Sequence, residues 1–150
     1  PTRFIELAGE VNHQMPQHVV GRVVMALNDD KKAINGARVL VLGLAYKPDV
    51  DDVRESPSLE IIDALLSLGA EVDYHDPFLP KMPKTRRARP DLSSVELSDA
   101  SLAAYDCVLV ATHHSQFDWA RIKRHAHLIV DCRGVMRQVA DISGARVVLA

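Results

Sequence analysis

Three cations, Lys47, Arg54 and Arg133, stand where strand-to-helix connections would leave loops open. Lys47 lies in Gly43-Leu44-Ala45-Tyr46-Lys47-Pro48, Arg54 just ahead of Ser56-Pro57, and Arg133 in Asp131-Cys132-Arg133-Gly134. A lysine ammonium attracts an anion as a point charge and an arginine fork grips two oxygens at once, so the set suits the negative charge of a diphosphate. The same side chains could instead form surface ion pairs with Asp49, Asp51, Asp52 or Asp131, and spacing leaves both uses open. Tyr46, beside Lys47, is the fourth candidate for contact with a bound molecule.

Other chemistry is poorly supplied. Asp49, Asp51 and Asp52 share one loop, whereas a magnesium pocket draws its acids from separate strand ends. The seven histidines show no ligand spacing. His113 and His114 are adjacent and would point to opposite sides, His125 and His127 flank a strand entry, and each reads as a solvated or hydrogen-bonded loop residue. No metal site is expected. Ser115 and the two cysteines lack a nucleophile elbow or an evident base, so covalent catalysis finds no support. Cys107 and Cys132 sit in apolar runs without Cys-x-x-Cys spacing and read as buried, reduced thiols of a cytoplasmic protein.

The elements that must position the cations follow from hydrophobic period. Phe4, Ala8, Val11, Met15, Val19, Val23 and Leu27 recur every three or four residues, the period of one helix face, so a long amphipathic helix is predicted from Thr2 to about Leu27. Pro16 removes a backbone donor and predicts a kink or restart near Gln14 to Pro16. A stripe so early in the chain is expected to pack on a partner chain, on sequence outside these residues, or on both.

Beyond it, Arg38 to Leu42 reads as a buried parallel strand. A long loop then reaches Ser56-Pro57, which cap a helix from Ser58 to Leu68, and Gly69 stops it. Glu71 to His75 is the next strand, closed by Asp76-Pro77. A helix at Asp99 to Ala104, a strand at Asp106 to Ala111, a helix at Asp118 to Arg124 and strands at Leu128 to Asp131 and Ala145 to Leu149 complete the alternation. Such a pattern implies an α/β fold: a Rossmann-like, doubly wound, mainly parallel sheet preceded by a long amphipathic helix. The expected division is a helical region over 1–30 and a binding domain over 36–150.

In that fold, ligands bind beyond the carboxyl ends of the strands where the connections diverge. The loops carrying Lys47, Thr112 to Ser115 and Arg133 should therefore meet. The first loop lacks the Gly-x-Gly-x-x-Gly spacing that delivers a pyrophosphate to a helix N-terminus, so no dinucleotide site is expected here. Between the halves, Lys81 to Pro90 holds five basic residues and no acid, either a solvated crossover loop or an anion-recruiting flap.

Composition bounds the rest. A chain of 150 residues, 47% hydrophobic and 25% charged, makes one ordinary domain and would be cramped as a two-substrate enzyme. A formal net charge of -2 argues neither for nucleic acid nor for disorder. The chain opens on Pro1 without a signal-like stretch or an 18-residue apolar run, so the expectation is a soluble, cytoplasmic piece of a longer protein with no membrane partner.

The run Gly43 to Ser58 (GLAYKPDVDDVRESPS) closely resembles the signature of the UDP-glucose/GDP-mannose dehydrogenase family at the start of its C-terminal substrate-binding domain. Further likeness lies in Phe4 to Asn12 with Met15-Pro16, similar to the family's central dimerisation helix, in Tyr74-His75-Asp76-Pro77, in Thr112 to Phe117 and in Val130 to Gly134. Pro83-Lys84-Thr85 and His114 to Asp118 look most like bacterial members that oxidise UDP-N-acetylglucosamine or UDP-N-acetylmannosamine.

The resemblance implies an NAD-dependent oxidation of a sugar C6 alcohol to a carboxylate, in two hydride transfers through a cysteine-bound intermediate. It places both the NAD fingerprint and the catalytic cysteine in an N-terminal half whose motifs this sequence lacks. No catalytic residue is therefore expected in these residues, and no cofactor bound by them. By resemblance Lys47 and Arg133 contact the diphosphate or ribose of a UDP-sugar, Arg54 supports the same loop, and Asn12 supports the interface or the active site. A homodimer through the N-terminal helix is implied as well. The competing reading is a non-catalytic assembly module that binds UDP only within the full-length protein.

Overall fold

The structure is a computed structural model that describes residues 2–53, 56–82, 92–140 and 143–150, and for residues 2 and 4–13 the backbone alone. Short runs rich in valine, leucine and isoleucine form the central strands of the sheet. Strand β1 (Arg38–Leu42) lies between β2 (Glu71–His75) and β3 (Cys107–Val110), with β4 (Leu128–Asp131) and β5 (Arg146–Leu149) beyond, in the order β2-β1-β3-β4-β5. Every pairing is parallel. From β1 the chain first steps outward to β2 and then returns across to β3, so the point of divergence lies between the carboxyl ends of β1 and β3.

Strand side chains alternate between two layers. Val39, Val41, Cys107, Leu109, Leu128 and Val130 share a core with α1 (Thr2–Asp29) and α2 (Pro57–Ser67). Leu40, Leu42, Val108, Val110 and Ile129 face the opposite core, with Leu102 of α3 (Asp99–Ala104) and Ile122 of α4 (Trp119–His125). The doubly wound α/β expectation holds.

Helix α2 shows how local chemistry sets the boundaries. The Ser56 hydroxyl accepts from Ser58 N and Pro57 takes the first helical position, where its missing N–H costs nothing. At the other end Gly69 N donates to Leu66 O and Ala70 N to Leu65 O, a Schellman closure that needs the φ of +91° at Gly69.

Two expectations for α1 need correction. The helix runs from Thr2 to Asp29, so of the kink or restart expected near Pro16 the restart does not occur. The stripe was also expected to pack away from its own domain, yet Pro16, Val19, Val20, Val23, Ala26 and Leu27 are buried against α2 and the β3–β4 face of the sheet. Burial of that half explains the continuity, since it offsets the one hydrogen bond a proline removes. Phe4, Ala8 and Val11 lie outside the described side chains, and Met15 is 42% exposed.

Arginines fasten the helix to the far edge of the sheet. Arg22 donates to the Leu149 carbonyl from Nη2 at 2.7 Å and from Nε at 3.2 Å, and Arg146 Nη2 donates to the Ala26 carbonyl at 2.9 Å.

Smaller differences also have causes. Asp106 stands outside β3 because its carboxylate accepts from Arg38 N and Lys32 Nζ. The 3-10 turn Val135–Gln138 was not anticipated; buried Asp131 organises it by accepting from Gly134 N and Met136 N. Residues 92–95 also run along the outer edge of β2, where Ser94 bridges to Tyr74, so part of that edge is covered.

Leu27→Ala should lower the unfolding free energy by about 2–5 kcal/mol, the range for a fully buried leucine. Urea unfolding checks this, and a loss below about 1 kcal/mol would contradict the packing of α1 on the sheet.

Candidate functional site

The loop after β1 is built from its backbone outward. Gly43 has a φ of +90°, and a Cβ there would come within 2.4 Å of Thr112 Cβ, so only glycine lets the β1 and β3 ends approach this closely. Three successive carbonyls then accept from three different elements. Ser56 Oγ donates to Leu44 O at 2.5 Å, Thr112 Oγ1 to Ala45 O at 2.5 Å, and Arg133 Nη2 to Tyr46 O at 3.0 Å. Tyr46 N closes the turn by donating to Asp52 O at 3.2 Å. The loop is thus pinned through its main chain, leaving the side chains of Tyr46 and Lys47 exposed.

Asp76, at the end of β2, is the buried anchor. Its Oδ2 accepts from Leu44 N at 2.8 Å and lies 2.9 Å from His114 Nε2, while Oδ1 accepts from Phe78 N at 2.8 Å. Burial alone would push this carboxyl up. The hydrogen bonds from His114, Leu44 and Phe78 outweigh it and hold Asp76 below the usual carboxylate range.

His114 continues the chain, its Nδ1 accepting from Asp49 N at 2.7 Å. Asp49 has a left-handed φ of +62°, and its Oδ1 accepts from Ser115 N at 2.7 Å and from Ser115 Oγ at 2.9 Å. Those two donors, the backbone N–H first, hold the Asp49 carboxyl below its usual value.

Two of the cations can be placed. Arg133 leaves β4 through a turn in which Asp131 Oδ1 accepts from Arg133 N at 2.9 Å. Its guanidinium does not pair with Asp131. Instead Nε donates to Ala111 O at 2.8 Å and Nη2 to Tyr46 O, so one fork ties the β3 and β1 loops and retains further donors. Lys47 is exposed one residue from that contact and engages no acid among the described residues. The structure therefore brings Tyr46, Lys47 and Arg133 together at the point of divergence. Arg54, the side chain of Asn12 and residues 83–91 of the basic loop lie outside the described residues.

Among the described residues, neither Lys47 nor Arg133 forms an ion pair with Asp49, Asp51, Asp52 or Asp131. Of the adjacent histidines, His113 is exposed and His114 fully buried, as their opposite directions implied. The buried role of His114 escaped sequence reading. Its signals were the Tyr74-His75-Asp76-Pro77 strand end and the spacing to Phe117, whose ring lies 5.5 Å from the imidazole.

The first loop does not fit a dinucleotide. Ser56 already caps α2, and Thr112 fills the space above Gly43 that a pyrophosphate would need. Among the described residues no group of three or more His, Cys, Asp or Glu could hold a metal ion, and no helix is long and apolar enough to cross a membrane. Burial pushes the thiols of Cys107 and Cys132 up to about 12, so neither is a ready nucleophile.

Fold and loops together define a doubly wound α/β domain with Lys47 and Arg133 on the loops at its topological switch point. The model of the UDP-glucose/GDP-mannose dehydrogenase family, UDP binding domain, matches residues 40–138, and the chain belongs to that family. It is 30% identical over 143 residues to the UDP-glucose 6-dehydrogenase of Rhizobium meliloti (strain 1021), covering 92% of this chain and 32% of that protein. Identity is 32% over 142 residues with the UDP-N-acetyl-D-mannosamine dehydrogenase of Escherichia coli (strain K12), covering 90% and 33%. The chain thus spans about a third of the length of the curated relatives it matches.

Among solved structures, a UDP-glucose dehydrogenase from the hyperthermophilic archaeon Pyrobaculum islandicum superposes with a TM-score of 0.61 at 30% identity, covering 86% of this chain and 31% of that one. The UDP-D-ManNAc dehydrogenase of Pyrococcus horikoshii shares the fold, with a TM-score of 0.74 at 24% identity over 96% of this chain and 33% of that one.

Asp76→Asn should cost roughly 1–3 kcal/mol of stability near neutral pH, because a buried charge-assisted network loses its charge. The folded-state value is depressed, so this contribution is present above the ordinary value of 3.8 and fades as pH falls below it. Denaturant melts of both proteins from pH 7 to pH 3 should show the gap closing at the acid end; a gap that widens there would contradict the assignment. Both cysteines should also resist iodoacetamide at pH 8 in the folded protein and react once it is unfolded.

Proposed function

We propose that this chain supplies the nucleotide-diphosphate end of the substrate site of a nucleotide-sugar 6-dehydrogenase. The observation that carries the reading is the rim itself. Arg133 and the Tyr46-Lys47 turn are held together by main-chain bonds, and the lysine charge and spare guanidinium donors engage no acid among the described residues. Lys47 would attract the diphosphate by charge, Arg133 would donate to its oxygens or to the ribose, and Tyr46, 45% exposed, would line the entry. Arg54 and Asn12 join the proposal by likeness to the family alone.

The whole protein is proposed to be an NAD-dependent oxidoreductase acting on a UDP-sugar and converting its C6 alcohol to a carboxylate. Bound NAD would supply the hydride acceptor. Its site and the reacting cysteine are assigned to sequence outside these residues, a placement supported by the length of the relatives and by the poor fit of the first loop to a dinucleotide. Residues 36–150 would form the nucleotide-sugar domain, and residues 1–30 would end the central helix. The first half of α1 would pair with a second copy, since the second half is already packed on its own sheet.

Calorimetric titration of the chain with UDP tests the reading. Binding is expected at up to millimolar ligand, weakened tenfold or more in Lys47→Ala with Arg133→Ala, a loss of about 1.4 kcal/mol or more. No binding by the wild type, or equal binding by a folded double variant, would count against it.

A further inference from the structure

Outside the cationic rim, the fully buried His114 joins the ends of two strands to the turn that presents Lys47. We propose that His114 is the positioning residue of that turn: as a neutral imidazole protonated on Nε2, it sets the backbone of Asp49 and so the placement of Tyr46 and Lys47 against the diphosphate. The proposal rests on the nucleotide-site reading above.

The proton's position follows from the partners. The group 2.7 Å from Nδ1 is the backbone N–H of Asp49, which can only donate, so Nδ1 carries a lone pair. The group 2.9 Å from Nε2 is Asp76 Oδ2, which already accepts from Leu44 N, so Nε2 carries the proton. A doubly protonated ring would set one donor against another at Nδ1. The ring has no free rotation either, because Phe78 and Phe117 lie 5.0 and 5.5 Å from it.

Asp49 is the sensitive point. It lies inside the turn closed by Tyr46 N and Asp52 O, in a left-handed conformation that is strained for a non-glycine residue and persists only when its surroundings hold it. Arg133 fixes the Tyr46 end of the turn and His114 the Asp49 end, with Lys47 between the two anchors.

Two substitutions separate this role from simple packing. An asparagine places its carbonyl oxygen near Nδ1, so His114→Asn keeps the acceptor for Asp49 N and loses the donor to Asp76. A glutamine places its amide near Nε2, so His114→Gln keeps the donor and loses the acceptor. UDP affinity, measured calorimetrically on the whole 150-residue chain, should fall about tenfold in His114→Gln and less than about threefold in His114→Asn. Melting temperature should show the reverse order, since the buried bond to Asp76 is cut only in His114→Asn.

Affinities that follow the stability order, or a folded His114→Gln that binds UDP like the wild type, would overturn the positioning role alone. Failure of the wild type to bind UDP would overturn both this proposal and the reading beneath it. Should neither variant fold, imidazole nitrogen NMR of the wild type decides. A neutral ring with its proton on Nε2 at pH 7 supports the role, and a doubly protonated or Nδ1-protonated ring overturns it.

Discussion

One buried carboxylate governs the end of this sheet where a ligand would sit. Asp76 accepts from Leu44 N after β1, from Phe78 N after β2 and from His114 after β3, so three loops that are distant in sequence share a single anion. A charge removed from water is costly unless every lone pair finds a donor. That cost makes the arrangement mutual, because no loop can withdraw its donor without exposing the others to the full penalty. The cationic rim depends on the same discipline. Among the described residues, the Tyr46-Lys47 turn and the Arg133 fork are joined by hydrogen bonds to the main chain and not by ion pairs with acids.

The sheet beneath is simple by comparison. Alternate residues of β1, β3 and β4 serve two cores, and each core needs helices to close it. On one side α3 and α4 come from the crossovers themselves. On the other, α2 covers only part of the face, and the half over β3 and β4 is closed by α1, which precedes the whole sheet in the chain. The helix is a structural layer of the domain as much as a lead-in to it.

The fold was largely legible in the sequence. The apolar runs at Arg38 to Leu42 and Leu128 to Asp131, the Ser56-Pro57 start and the Gly69 stop each carry a local physical cause that acts before any tertiary contact. Less legible were features whose cause is distant. Nothing near Pro16 announces that the following turns will be buried and so carry the helix on without a restart. The 3-10 turn after β4 depends on how Asp131 is oriented inside the protein. At the site, residue type pointed correctly to Lys47 and Arg133 as loop cations but could not decide their partners. His114 was hidden for the same reason: a histidine gains its meaning from two groups, Asp76 and Asp49, that lie 38 and 65 residues away.

The bonds from Arg22 to Leu149 and from Arg146 to Ala26 span 127 and 120 residues. They make the first helix and the last strand neighbours in space. Closing so large a loop carries an entropic cost, and the apolar face over β3 and β4 has no cover until α1 docks on it. During synthesis, α1 would leave the ribosome long before β3 and β4, the strands whose face it covers, and β1, α2, β2 and α3 would emerge between them. The order of the chain therefore sets a kinetic demand that the finished structure conceals: strands made late must find a helix made early.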